Sequence, residues 1–297
     1  MSADGLMSEL RKLRVATTKA RAMGWRAAVR LMWRRMLRNA TRQSVDEASI
    51  AFEVLSEQVR RGVMIDVGAH FGGSLAPFVS SGWVVLAFEP DKRNRAVLQT
   101  AFGHRENIRI DPRAVTDTRR ENVTLFRSSL STGISSLAAF HPSHKPSDLV
   151  DSVSLTDALI EYAMDTVDFL KIDTEGFDLF VLRGVPWTTC HPRLVLCEFE
   201  DAKTGPLGYT YHDLATFLRE RGYRVIVSEW WPVETYGSSH RWRTYATYPC
   251  ELQDKTGWGN LLATRDPRVF AALNERFELS SHEILSLASM VDSRPRS

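Results

Sequence analysis

The stretch 63–90 constrains the fold more than any other: V-M-I-D-V-G-A-H-F-G-G-S, a short helical segment, then W-V-V-L-A-F-E-P. Val63, Met64, Ile65 and Val67 form an apolar run too short for a helix and bounded by glycine on both sides, the pattern of a buried strand. Gly68, Gly72 and Gly73 then allow a tight turn and let a ligand lie against the main chain, and Ser74 suits the N-cap of the next helix. A second apolar run, 83–88, ends at Glu89, near the roughly 20-residue offset at which an acid meets ribose hydroxyls in dinucleotide folds. The spacing G-A-H-F-G-G departs from G-x-G-x-x-G, so the stretch predicts an adenosine ligand without a diphosphate. An ordinary tight strand-to-helix turn is the alternative.

Further along, 91–102 reads as a helix and 107–110 as a third strand ending at Asp111, an acid that either meets an adenine amino group or merely begins a turn. Residues 122–127 alternate like an antiparallel strand, and 150–155 read as a short strand leading into a helix. Between them lies the small-residue stretch S-S-L-S-T-G-I-S-S, 128–136, which is either a solvated loop or a contact for a polar substrate. The runs 167–173, 193–199, 223–228 and 259–264 complete the predicted strands, with a helix at 211–221 stopped by Gly222. Strands alternating with helices predict a parallel, doubly wound sheet, which binds ligands beyond the carboxyl ends of its strands. Glu89, Asp111, Asp173, Glu175 and Glu198 all fall at such ends, more acids than packing alone explains.

The segment D-F-L-K-I-D-T-E-G, 168–176, together with I-D-V-G-A-H-F-G (65–72), A-F-E-P (87–90) and V-L-C-E-F (195–199), resembles the FkbM-type methyltransferases. These are S-adenosylmethionine-dependent O-methyltransferases. The resemblance covers roughly residues 60–265, and the K-I-D-x-E-G-x-[DE]-x-x-V-L-x-G pattern from Lys171 to Gly184 is its most specific part. It implies an α/β fold with a doubly wound, seven-stranded, mostly parallel sheet of the class I methyltransferase, Rossmann-like kind. It implies that Asp66, Gly68, Ala69, His70 and Gly72 hold the methionine part of the cofactor and that Glu89 takes the ribose hydroxyls. Asp173 and Glu175 would line the site near the transferred methyl, with Glu198 facing the same cleft. These three acids are the candidate catalytic residues, Asp173 or Glu175 taking the acceptor's proton or, alternatively, positioning Lys171 and the loop. His70 stands where the family usually has Asn; an imidazole still donates a hydrogen bond, and shaping the cofactor loop is its expected role. A Mg²⁺ ion held by Asp173 and Glu198 is the less favoured reading, and no metal site is assigned.

Charge divides the chain. Residues 1–45 hold eleven Lys and Arg against two acids, whereas the whole chain has a net charge of +2, so the body is acidic. Within the arm Trp25, Ala28, Val29, Met32, Trp33 and Met36 recur at helical steps, with Arg26, Arg30, Arg34 and Arg38 on another face. This basic amphipathic helix either packs on the domain, lies on an anionic membrane, or meets RNA. The acidic body and the lack of an N-P-P-Y-like motif count against nucleic acid as substrate. Three cysteines without a C-x-x-C pair disfavour zinc or a disulfide framework, and the first twenty residues show no secretory h-region. The predicted location is cytoplasmic, with the inner face of the membrane as a candidate. The predicted organisation is a basic helical extension over 1–59, the methyltransferase domain over 60–265 and a helical tail over 266–297. Aromatic residues between Trp230 and Trp258 suit stacking on sugar rings, as well as cores and lids, so a glycan or glycolipid is the expected acceptor. A polyketide or other natural product, RNA, and a non-catalytic cofactor-binding role remain as alternatives. A nicotinamide oxidoreductase lacks its three-glycine turn here.

Overall fold

The structure, a computed structural model, describes residues 45–233 and 240–292. The predicted basic helix of the arm lies outside the described residues. Helix α1 (Glu47–Ser56) leads into β1 (Val63–Val67), α2 (Ala76–Ser80), β2 (Val84–Phe88), α3 (Lys92–Phe102) and β3 (Ile108–Asp111). Then come β4 (Ala114–Thr116), β5 (Arg120–Ser128), β6 (His144–Ser154), α4 (Leu155–Glu161), β7 (Phe169–Ile172) and α5 (Asp178–Arg183). The chain continues through β8 (Leu194–Glu200), α6 (Asp201–Thr204), α7 (Tyr211–Glu220), β9 (Arg224–Trp230), β10 (Trp242–Thr247), β11 (Trp258–Thr264) and α8 (Pro267–Asp292).

The main sheet has the order β10-β9-β11-β8-β7-β1-β2-β3. Strands β3, β2, β1, β7 and β8 pair in parallel, while β11 runs antiparallel to both β8 and β9. Strand side chains alternate between two apolar layers because successive residues point to opposite faces. Ile65, Val67 and Leu170 pack with Leu159, Leu182 and Leu214 of α4, α5 and α7. Met64, Val85 and Phe169 pack with Val54, Phe78, Leu98 and Leu273 of α1, α2, α3 and α8. Both faces are thus covered by helices, which is why the central strands read as continuous apolar runs.

Two features depart from the sequence reading. The sheet has eight strands rather than seven. The extra strand, β10, pairs antiparallel with β9 at the edge, where Trp242 turns into the core instead of serving an aromatic lid. The hairpin β5–β6 and β4 form a separate three-stranded sheet, so the short strand expected at 150–155 is the end of an eleven-residue one. Helices α1 and α8 share one apolar layer with the sheet.

Glu47 ties α1 to that sheet. Its buried carboxylate accepts from Ser228 Oγ at 2.8 Å and Trp230 Nε1 at 2.6 Å, and Trp242 Nε1 donates onward to Ser228 Oγ at 2.9 Å. Glu47→Ala strands two buried donors and is expected to lower unfolding free energy by about 2–3 kcal/mol. Glu47→Gln, which keeps an acceptor, is expected to cost less. Urea denaturation of the two variants measures the difference, and equal costs would remove the hydrogen bonds as the cause.

Candidate functional site

The carboxyl ends of β1, β2, β7 and β8 open onto one cavity of about 360 Å³. At the end of β1 the chain turns at Gly68, φ +80, whose N–H and that of Ala69 both donate to Phe88 O at 3.0 Å. A Cβ on Gly68 would sit 1.9 Å from Asp173 O, so the two strand ends approach as closely as a glycine allows. Gly72 answers a different demand: a Cβ there would meet Leu98 and Phe102 of α3, so this glycine seats the helix against the turn.

Glu89 follows β2. Its carboxylate is 5% exposed and accepts from His70 N at 2.7 Å and Asp91 N at 2.8 Å. An ionised carboxylate has roughly four lone-pair sites, so acceptor capacity remains for ligand hydroxyls. Burial pushes the Glu89 carboxyl up to about 7 against an ordinary value of 4.5, although both backbone donors oppose the shift. The folded chain therefore holds an extra proton between those two values. Stability from this group is full below 4.5 and is lost as pH rises through about 7. Binding hydroxyl donors favours the ionised form, so affinity for an adenosyl ligand is expected to rise from about pH 6 to about pH 8. Calorimetry with S-adenosylmethionine tests this, and a flat profile would refute it.

His70 lines the same cavity at φ +49, a left-handed conformation that Asn, Asp and His tolerate better than most residues. Its ring stacks on Phe71, and Nε2 lies 3.2 Å from Thr132 Oγ1. Burial lowers its pKa. The small-residue stretch around Thr132 is a strap along the cavity, fastened at several points. Asn94 Nδ2 donates to Thr132 O at 3.1 Å, Ser135 Oγ to Asp91 at 3.1 Å and Ser136 Oγ to Glu175 O at 2.9 Å. Asp91 also caps α3 and pairs with Arg127 at 2.6 Å. Burial raises its pKa, but the hydrogen bonds from Arg93 and Arg127 outweigh this and hold it at about 2. Asp91 and Asn94 escaped the sequence reading; the cap-forming D-x-x-N after the A-F-E-P strand is their only local signal.

On the other side of the cavity stand the acids of β7 and β8. Asp173, Glu175 and Glu198 each place a carboxylate oxygen within 4.8 Å of the others. Lys171 Nζ lies 3.3 Å from Asp66 and 3.2 Å from Asp173. Lys203 Nζ lies 2.6 Å from Glu175, 3.5 Å from Glu198 and 2.7 Å from Glu200. Burial pushes Glu175 up to about 7, with Lys203 opposing, and Glu198 well above the ordinary carboxylate range. The Asp173 side chain is 42% exposed, the accessible member of the three.

Of the predicted cofactor residues, Gly68, His70 and Glu89 line the cavity. Asp66, Ala69 and Gly72 stand behind it: Asp66 is fully buried with Lys171 as its counter-ion, and Ala69 packs in the apolar layer. Asp111 does not reach the cavity. Arg113 and Tyr162 hold its carboxylate, at 2.6 and 3.1 Å, and Ala114 and Val115 form the wall instead. The aromatic segment divides likewise. Trp258 lines the cavity with His240, whereas Trp230 and Trp242 belong to the core; Tyr236 lies outside the described residues. Asp178, in the same motif as Asp173, is buried and accepts from Thr174 Oγ1 at 3.0 Å, which shapes the loop between them.

The residues present fit S-adenosylmethionine. Glu89 offers buried acceptors for a ribose diol, the Gly68 turn keeps the wall at β1 flat, and acids farther along suit an acceptor and a sulfonium. A family model for the methyltransferase FkbM domain matches residues 66–225. No curated protein matches the chain. Among solved structures it is similar to methyltransferase FkbM from Methylobacillus flagellatus, at 19% identity over 70% of this chain and 45% of that one, TM-score 0.41. It is also similar to precorrin-6y C5,15-methyltransferase from Geobacter metallireducens, at 13% identity over 73% of this chain and 86% of that one, TM-score 0.39. An rRNA methylase from Streptococcus thermophilus aligns at 8% identity over 73% of this chain and 93% of that one, TM-score 0.40. The chain spans less than half the length of the first of these.

Proposed function

The chain belongs to the methyltransferase FkbM domain family, its residues 66–225 forming an S-adenosylmethionine-dependent methyltransferase domain, and from that premise we propose that it methylates a hydroxyl oxygen of a sugar, glycolipid or polysaccharide. The observation that carries this reading is the convergence of Asp173, Glu175 and Glu198 on the cavity that also holds Glu89. The cofactor, when bound, supplies an electrophilic methyl on a sulfonium. Glu89 would accept hydrogen bonds from the ribose hydroxyls, and the backbone at Gly68 and the side chain of His70 would border the same ligand. An alcohol is a poor nucleophile until its proton leaves, so an acid near the methyl must take or orient that proton. Asp173 is the exposed acid and is assigned that role; Glu175 and Glu198 position the acceptor. Holding acceptor and methyl in line supplies much of the remaining acceleration. Trp258 and the hydroxyl-rich strap suit the apolar face and polar rim of a sugar ring.

Methyl-labelled S-adenosylmethionine incubated with cell glycan and glycolipid extracts tests the proposal. Label recovered as a methyl ether on a sugar is the expected result. Label recovered on RNA or on a polyketide-type product, or cofactor binding with no transfer to any extract, would overturn it.

Location is a second part of the proposal. Among the described residues no helix is long and apolar enough to cross a membrane. The sequence pattern of residues 25–38, which predicts tryptophans on one helical face and arginines on another, supports peripheral contact with an anionic, cytoplasmic membrane surface, where a glycolipid acceptor would reside. Liposome flotation of the full chain should exceed that of a 1–44 deletion; equal soluble fractions would count against it.

A further inference from the structure

Lys203 is 5% exposed, yet it ends among carboxylates rather than in water. It lies on α6, the short helix that follows β8 at once, so its side chain folds back beneath Glu198 and Glu200 of that strand. Glu175 comes to the same point from the end of β7, where φ +55 turns the chain. The ammonium carries three donors and meets three carboxylates, at 2.6, 2.7 and 3.5 Å. Phe140 lies against it, with 5.4 Å from Nζ to the ring centroid. Three carboxylates this close, with side chains no more than 12% exposed, repel one another strongly unless a cation sits between them. Two kinds of cation can serve: a divalent metal, with oxygens at about 2.0–2.6 Å, or an ammonium from the chain itself.

We propose that Lys203 is the resident cation of the acceptor side of the cavity, occupying the place a divalent metal would take among Glu175, Glu198 and Glu200 and positioning Glu175 and Glu198 without one. Methyl transfer is then independent of divalent metal; that consequence rests on the function proposed above, whereas the cation assignment does not. Lys203 acts through the acids it holds and is a positioning residue. Lys171 serves the neighbouring pair Asp66 and Asp173 in the same manner, so each group of acids has a lysine of its own.

Manganese titration, followed by the electron paramagnetic resonance of the free ion, tests this without knowledge of the acceptor. The wild-type protein is expected to leave the free-ion signal unchanged. Lys203→Ala vacates the position and should remove about one equivalent of Mn²⁺ from the signal. Lys203→Arg, which keeps the charge, should remove none. Lys203→Ala combined with Glu198→Gln should weaken uptake by more than about tenfold relative to Lys203→Ala alone. Mn²⁺ uptake by the wild type that vanishes in Glu198→Gln would overturn the proposal, and that arm requires no folded Lys203 variant. So would a Lys203→Ala protein that binds S-adenosylmethionine normally yet takes up no Mn²⁺. Calorimetry with S-adenosylmethionine on the same samples reports separately on the cofactor reading, so failure of one reading is distinguishable from failure of the other. Once an acceptor is identified, label transfer by the wild type should be unchanged by EDTA; loss restored by Mg²⁺ would reject metal independence.

Discussion

Gly68→Ala is expected to abolish measurable S-adenosylmethionine binding and to destabilise the fold by about 3 kcal/mol or more. Two effects add. At φ +80 a Cβ costs about 1–2 kcal/mol through its clash with the backbone. The new atom would also lie 1.9 Å from Asp173 O, and that oxygen cannot retreat freely, because Asp173 N is bonded to Val67 O at 2.9 Å. The ends of β1 and β7 must separate, and they carry both the turn proposed to border the cofactor and the proposed base. Gly208 supplies the control. Its φ of +85 is nearly the same, but nothing lies within 4 Å of an added Cβ. Gly208→Ala should therefore show the backbone strain alone, about 1–2 kcal/mol, with cofactor affinity unchanged. Denaturant unfolding and calorimetry on the pair separate strain from contact. Wild-type affinity in Gly68→Ala would mean that the turn is no part of the cofactor site.

The second large effect is on chemistry. Asp173→Asn should lower kcat by at least about 100-fold while the dissociation constant for S-adenosylmethionine changes by less than about threefold. Asn has the same shape, and its amide oxygen can still accept from Lys171 Nζ, which lies 3.2 Å from the present carboxylate. It cannot take a proton. Lys171 and Asp66 remain paired at 3.3 Å in the variant, so the strand end keeps its other ion pair. Glu175→Gln offers the contrast, since Glu175 is held by Lys203 at 2.6 Å and is assigned to positioning. A neutral amide there weakens that grip and should lower kcat less than Asp173→Asn does. Full turnover in Asp173→Asn would transfer the role of base to another group, and a larger loss in Glu175→Gln would point to Glu175.

The parts of this protein legible in its sequence are those written in local patterns. Short, near-continuous apolar runs mark β1 and β2, and an acid at the end of β2 marks Glu89. The K-I-D-T-E-G run places Asp173 and Glu175 after β7, and V-L-C-E-F places Glu198 on β8. These signals survive because a strand buried on both faces must be apolar throughout, so its first polar residue tends to fall at its end. Strand β10 escaped because W-R-T-Y-A-T lies on an edge, where partial exposure blurs the alternation of faces. Asp111 shows the opposite failure: it has the position of a ligand contact at a strand end, but Arg113, two residues on, takes its carboxylate.

By itself, then, the sequence determined a doubly wound sheet, a glycine turn after its first strand and a row of acids at its carboxyl edge. Only tertiary structure decided which groups complete one another there. His70 meets Thr132 across 62 positions, and Lys203 meets Glu175 across 28. It also decided that Gly72 seats a helix while Gly68 borders the cavity. The reason is physical: strand and turn propensities act over a few residues and leave a period to be read. The pairing of a buried ammonium with three carboxylates depends instead on the distances that packing sets between separate elements, and no local pattern records them.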